Sequence, residues 1–230
     1  MKKILFTVAV VLVALTGCKK EVSYNNITLD KYAVKLKAGD SQQLYVTSGD
    51  PNGVVWRSEN EFVATVDKGK ISGHRIGTTR VIANNAVVNV VVDGRYDLYD
   101  EPIEKVEWGM SKEEVSKIMG FPDKVEGNVI SYDVESSVNS LKTYEFDSNN
   151  RLIATGITVA KDKTAQLDDF LNERYLLITK GDVSELADRD YINGVDVASA
   201  TMLVSRSGYD ADYWIVTYKD INSCTLVAGK

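Results

Sequence analysis

The chain has 230 residues, a formal net charge of −6 and a sequence pI near 5.0, which leaves room for one large domain or two small ones. With 44% hydrophobic and 26% charged residues, 16 glycines and 3 prolines, it is neither disordered nor collagenous, and its acidity argues against a nucleic-acid partner. One histidine and two cysteines supply neither a zinc cluster nor a convincing Ser-His-Asp relay, so the composition points to a non-enzymatic protein without metal or cofactor.

The chain opens Met1-Lys2-Lys3 and continues with an apolar run from Ile4 to Leu15. Twelve residues make about 18 Å of helix, short of the ~30 Å hydrocarbon core, so the pattern is that of a secretory signal rather than a membrane span. Leu15-Thr16-Gly17-Cys18 resembles the lipobox of bacterial lipoproteins, in which the cysteine thiol takes a diacylglyceryl group and becomes the new N-terminus. The resemblance implies a signal peptide over 1–17, lipidation of Cys18 and a short tether over 18–26. Lys19, rather than aspartate, after the lipid cysteine implies the outer membrane of a Gram-negative cell. With Cys18 carrying lipid, Cys224 has no partner for a disulfide.

Residues 27–92 carry 8 basic and 6 acidic side chains, residues 93–230 carry 15 and 26, and the change falls at a polar, tyrosine-dotted stretch. A domain boundary is placed there, with 93–104 as linker. Short runs rich in Val, Ile, Thr and Tyr predict strands at 27–29, 33–36, 42–47, 54–58, 63–66, 70–72, 78–83 and 86–92. Asn84-Asn85 suits a two-residue hairpin, since asparagine tolerates positive φ. Spacing of this kind predicts an all-β sandwich. The successive phrases Ile27-Thr28-Leu29-Asp30, Leu36 to Leu44, Val55-Trp56-Arg57-Ser58-Glu59-Asn60, Val63 to Asp67, Gly69-Lys70-Ile71 and Gly77-Thr78-Thr79 resemble the bacterial Ig-like group 2 (BIG2) domain. That resemblance implies an Ig-like sandwich over 27–92 of the kind found as stalk or adhesive module on cell surfaces. Trp56 is expected at its buried centre, Gly39 and Gly77 at backbone angles closed to other residues, and His74 in a solvated loop.

Residues 105–230 read as an α+β domain. Ser111 followed by Glu114 is a capping box, Val115, Ile118 and Met119 form an apolar stripe, and Gly120 and Pro122 end the helix. Strands are predicted at 129–134, 142–146 and 152–160. The order then repeats, with Thr164 as helix cap, an apolar face of Leu167, Phe170 and Leu171, and strands at 175–179, 198–205 and 213–219. The result is tandem helix-βββ units, with Gly181–Asn193 fitting neither. The phrase Trp108-Gly109-Met110-Ser111, then Glu114-Val115 and Met119-Gly120-Phe121-Pro122-Asp123, resembles the opening of the BamE/SmpA family of small outer-membrane lipoproteins.

The acidic pairs Asp168/Asp169, Asp188/Asp190 and Asp210/Asp212 read as solvated surface, and Asp93–Glu101 and Asp182–Asp190 fall short of a calcium loop. Tyrosine is in excess, 12 against 5 phenylalanines, and Tyr191, Tyr209, Tyr213 and Trp214 are the candidate ligand-binding residues. On the last strand Tyr213, Ile215 and Thr217 face one way and Trp214, Val216 and Tyr218 the other, so one set belongs to the core. The sequence thus predicts an outer-membrane, lipid-anchored protein of the cell surface that binds a protein or glycan. A periplasm-facing assembly lipoprotein and an inhibitor-type binder of a secreted enzyme are the alternatives.

Overall fold

The computed structural model describes residues 26–178 and 188–223. The signal segment, Cys18, the tether through residue 25 and Cys224 lie outside the described residues.

The N-terminal region is built from strands β1 (Thr28–Leu29), β2 (Ala33–Lys37), β3 (Ser41–Gln43), β4 (Val46–Ser48), β5 (Trp56–Ser58), β6 (Ala64–Asp67), β7 (Lys70–Gly73), β8 (Gly77–Ala83) and β9 (Ala86–Asp93). They pair in the orders β1-β4, β2-β9-β8-β5 and β3-β7-β6. Strand β2 runs parallel to β9, and the other pairs are antiparallel. Strict alternation along β9 sends Ala86, Val88, Val90 and Val92 inward, where they join Val34, Leu36, Ala64, Ile71 and Val81 in one buried cluster. The predicted run 42–47 divides into β3 and β4 because Leu44 turns inward and donates its amide to the Gly69 carbonyl at 2.9 Å.

The β8–β9 turn has Asn84 at φ 52°, as the hairpin requires, and Asn85 Oδ1 accepts the Ile27 amide at 2.8 Å. Gly39 and Gly77 sit at φ 86° and 148°. His74 is exposed beside Thr65, with 2.8 Å between Nε2 and Oγ1. Trp56 departs from expectation. It lies on the edge strand β5 and is only half-buried, packed against the rim of the core.

The α+β region contains α1 (Lys112–Met119), β10 (Lys124–Glu126), β11 (Val129–Asp133), β12 (Leu141–Phe146) and β13 (Leu152–Ala160). After them come α2 (Thr164–Asn172), β14 (Leu176–Leu177), β15 (Arg189–Ile192), β16 (Met202–Gly208) and β17 (Tyr213–Asp220). All eight strands form one antiparallel sheet in the order β10-β11-β12-β13-β17-β16-β15-β14. Each copy is therefore a helix followed by a four-stranded meander, and the last strands of the two copies pair at the centre of the sheet. The three-strand expectation missed β10 and β15. The first is an exposed Lys-Val-Glu, and the second places Arg189 and Asp190 where alternation would ask for apolar residues.

Both cores lie on the helix-bearing face. Val115, Ile130, Tyr132, Tyr144, Phe146 and Leu152 fill the first copy, and Leu167, Phe170, Leu171, Val204, Val216 and Tyr218 the second. The last strand is thereby settled: Trp214, Val216 and Tyr218 are core.

Residues 93–104 pack closely between the two regions. The Arg95 guanidinium donates to the Ala38 carbonyl at 2.8 Å and pairs with Asp40, while the amides of Arg95 and Tyr96 donate to the Glu173 carboxylate at 2.7 and 3.1 Å. The Ile76 amide donates to the Glu173 carbonyl at 2.8 Å. Further along, the Tyr99 ring lies 4.5 Å from that of Phe170, and its hydroxyl is 2.8 Å from that of Tyr218.

Candidate functional site

Because side chains alternate across a strand, the eight-stranded sheet has a second face that neither α1 nor α2 covers. The register defines its rows. Ser131, Thr143, Gly156, Thr217, Ser205 and Asp190 lie side by side across the sheet. A neighbouring row runs Asp133, Leu141, Thr158, Ile215 and Ser207, with Thr158 and Ile215 paired at its centre. A third row runs Val129, Glu145, Ala154, Lys219 and Leu203, adding one carboxylate and one lysine. This face thus carries hydroxyls, small and aliphatic side chains and a few charged ones, whereas the opposite face carries aromatic and aliphatic core.

Gly156 determines the shape of its centre. A Cβ there would stand 2.6 Å from Thr143 Oγ1 and 3.4 Å from Ile215 Cδ1, so only glycine lets both neighbours lean across the strand. Thr158 Oγ1 accepts the amides of Ser140 and Leu141 at 3.2 and 3.0 Å, fixing the start of β12. The Ser205 hydroxyl donates to Asp190 Oδ1 at 2.7 Å.

At one end the face deepens into a groove of about 550 Å³ between β10–β12 and the β16–β17 hairpin. Val129, Leu141 and Thr143 line it, with Asp123, Glu126 and Asp133 around it and Tyr209 against it. On a flat sheet four strand spacings, about 19 Å, separate β10 from β17. That Tyr209 and Lys124 line one groove therefore means that the face is concave.

The hairpin that presents Tyr209 is well fixed. Asp210 Oδ1 accepts the amides of Asp212 and Tyr213 at 2.8 and 2.7 Å, and the Lys161 amide donates to the Asp212 carbonyl at 2.8 Å. Lys124, paired with Glu126 at 2.8 Å, is held above the usual lysine range by that carboxylate. Among the described residues, no three His, Cys, Asp or Glu side chains converge as a metal site would require.

The four aromatic candidates do not share a surface. Tyr209 is 50% exposed on the groove and Tyr213 is half-buried, but Trp214 and Tyr191 are 3% and 0% exposed. The Trp214 indole N–H donates to Thr164 Oγ1 at 2.9 Å, so the hydroxyl expected to cap α2 serves instead to position that ring. Asp168, expected on solvated surface, is a half-buried carboxylate paired with Arg206 and, at 2.9 Å, with Arg189.

Sequence reasoning passed over Asp123, Glu126, Asp133, Thr143 and Gly156. A signal was present in β13, where Ala154, Gly156 and Thr158 alternate with Thr155, Ile157 and Val159. Small residues at every second position of a central strand mark a face where neighbouring side chains approach closely, as Thr143 and Ile215 do over Gly156. No protein-family model matches the chain, and no curated protein matches it.

Proposed function

We propose that this protein is a non-enzymatic lipoprotein, anchored in the outer membrane through Cys18, that binds a protein or glycan ligand at the cell surface. The open face of its eight-stranded sheet is the ligand surface. The observation that carries this reading is the sheet itself: two helices lie on one side, and the other is a concave face rich in Ser, Thr, Gly and Ala, with Ile215, Glu145 and Lys219 among them and an acidic groove at one end. Interfaces draw on aromatic anchors with polar tips, and Tyr209 is such a group at the rim.

The N-terminal region, a β-rich unit of three separate sheets that do not close into a true Ig sandwich, is read as an Ig-like spacer. Its β2-β9-β8-β5 and β3-β7-β6 orders, with β2 parallel to β9, suit the sandwich to which its phrases are similar. The described chain begins at Asn26, eight residues after Cys18, so the tether spans at most about 29 Å. Several acyl chains at Cys18 would anchor the protein far more firmly than one.

The test is protease shaving of intact cells expressing the wild-type chain beside Cys18→Ala. Loss of the C-terminal epitope with a periplasmic marker spared is the expected result, and Cys18→Ala should leave the outer-membrane fraction. Protection until the outer membrane is permeabilised would replace the surface reading with the periplasm-facing one.

A second reading, an inhibitor-type binder of a secreted enzyme, is favoured by the tandem arrangement. Two copies joined edge to edge through β13 and β17 make one continuous face, broad enough to cover part of a folded partner.

A further inference from the structure

We propose that the groove at the β10–β12 end of the open face receives a protruding loop of a folded protein partner that carries lysine or arginine. This deepens the preceding reading and rests on it, since it names the occupant of the same face. The first argument is charge. Asp123, Glu126 and Asp133 line the groove against a single lysine, Lys124, which pairs with Glu126, so the excess negative charge comes from Asp123 and Asp133. Glu145, exposed and in register with Val129, adds a carboxylate beside the groove, and the row turns positive only at Lys219, two strands further on. Asp210 and Asp212, beside Tyr209, extend it over the hairpin. An occupant that brought a carboxylate or phosphate would meet like charge from several directions.

The second argument is chemical form. These carboxylates are spread around a trough and do not converge as the ligands of a metal would, so the cation they suit is an organic one on a flexible stem. The third argument is the floor. Val129 and Leu141 offer apolar contact to a lysine or arginine stem, Thr143 and Ser131 offer hydroxyls to a backbone, and Tyr209 offers a ring at the rim. The face is concave, which matches a convex loop better than a flat surface.

The experiment places a photoreactive residue at Thr143 in the full lipidated chain in its own cells. A second chain carries it at Lys117, exposed on α1 on the helix-bearing side. The cross-linked partner segment is then sequenced. The expected result is a cross-link from Thr143, and none from Lys117, to a protein segment containing Lys or Arg. Its yield should fall about threefold to tenfold in Glu126→Gln/Asp133→Asn, two exposed positions whose change leaves the core untouched. A Thr143 cross-link to a segment lacking basic residues, to a glycan, or with a yield unmoved by the double variant would overturn this inference while sparing the open face as ligand surface. Absence of any cross-link from Thr143, whatever Lys117 gives, would overturn both.

Discussion

Helices α1 and α2 each precede a four-stranded meander and occupy equivalent places, yet different forces hold them. Helix α1 is held by its ends. The Ser111 hydroxyl accepts the Glu114 amide at 3.2 Å, the Glu114 carboxylate accepts the Ser111 amide at 2.8 Å, and the chain leaves through Gly120 at φ 96°. It buries a single residue, Val115, and leaves Ile118 exposed, with Phe121 97% exposed just beyond it. Helix α2 has no side-chain cap and buries Leu167, Phe170 and Leu171. It also carries Asp168 into a half-buried pair with Arg189 and Arg206, the latter fully buried with its guanidinium 4.5 Å from the Trp214 ring centre. Local hydrogen bonds define the first helix, and tertiary packing defines the second.

The sharpest way to break this contrast is Asp168→Asn. It takes away the negative charge set between two guanidinium groups, one of them fully buried. Burial raises the Asp168 carboxyl above its ordinary range and so offsets part of the loss, but removing one partner of such an arrangement still costs about 3 kcal/mol. The urea midpoint should drop steeply. A change within a few tenths of a kcal/mol would mean that burial of Leu167, Phe170 and Leu171 holds the helix unaided.

What was legible in the sequence follows the same division. Helix α1 could be read from Ser111, Glu114 and Gly120, because caps act between near neighbours and their spacing is written in the chain. The strands of the N-terminal region could be read for a similar reason: alternation and turn residues are local. Thr164 looked like a cap but is the first residue of α2, and its hydroxyl donates to the Lys161 carbonyl at 2.6 Å and accepts the indole N–H of Trp214, fifty residues away. Asp168 looked solvated because nothing near it in sequence announces Arg206. The groove combines Asp123 with Tyr209 through the curvature of a sheet whose order, with β13 beside β17, no local pattern specifies.

A smaller effect is expected at the other helix. Ser111→Ala removes the acceptor for the Glu114 amide and should cost about 1 kcal/mol. The loss should be read in the first copy by faster amide exchange through α1, with α2 unaffected. Equal loosening of both helices would mean that the two copies unfold as one unit and that the cap supports the whole sheet.

The smallest effect is also a contrast, in response to pH. On α1, Glu113 and Glu114 are exposed, and backbone amides at the helix start hold both below the usual carboxylate range. Their contribution is present above the unfolded value and is lost as pH falls through the folded one. Glu101, packed beside the second copy's core, goes the other way. Burial raises its carboxyl above the ordinary range, although the Tyr175 hydroxyl donates to it at 2.6 Å. Between the ordinary and the raised value the native state binds the extra proton, so stability falls as pH rises through that window. Glu101→Gln keeps an acceptor for Tyr175 and removes the titration. Its melting temperature should exceed the wild type's by a few degrees at neutral pH, and the gap should close as pH is lowered to about 4.5. A gap that does not change with pH would show that the carboxylate is no harder to ionise in the folded protein than in the unfolded chain, and the opposition between the two copies would then be confined to their helix ends.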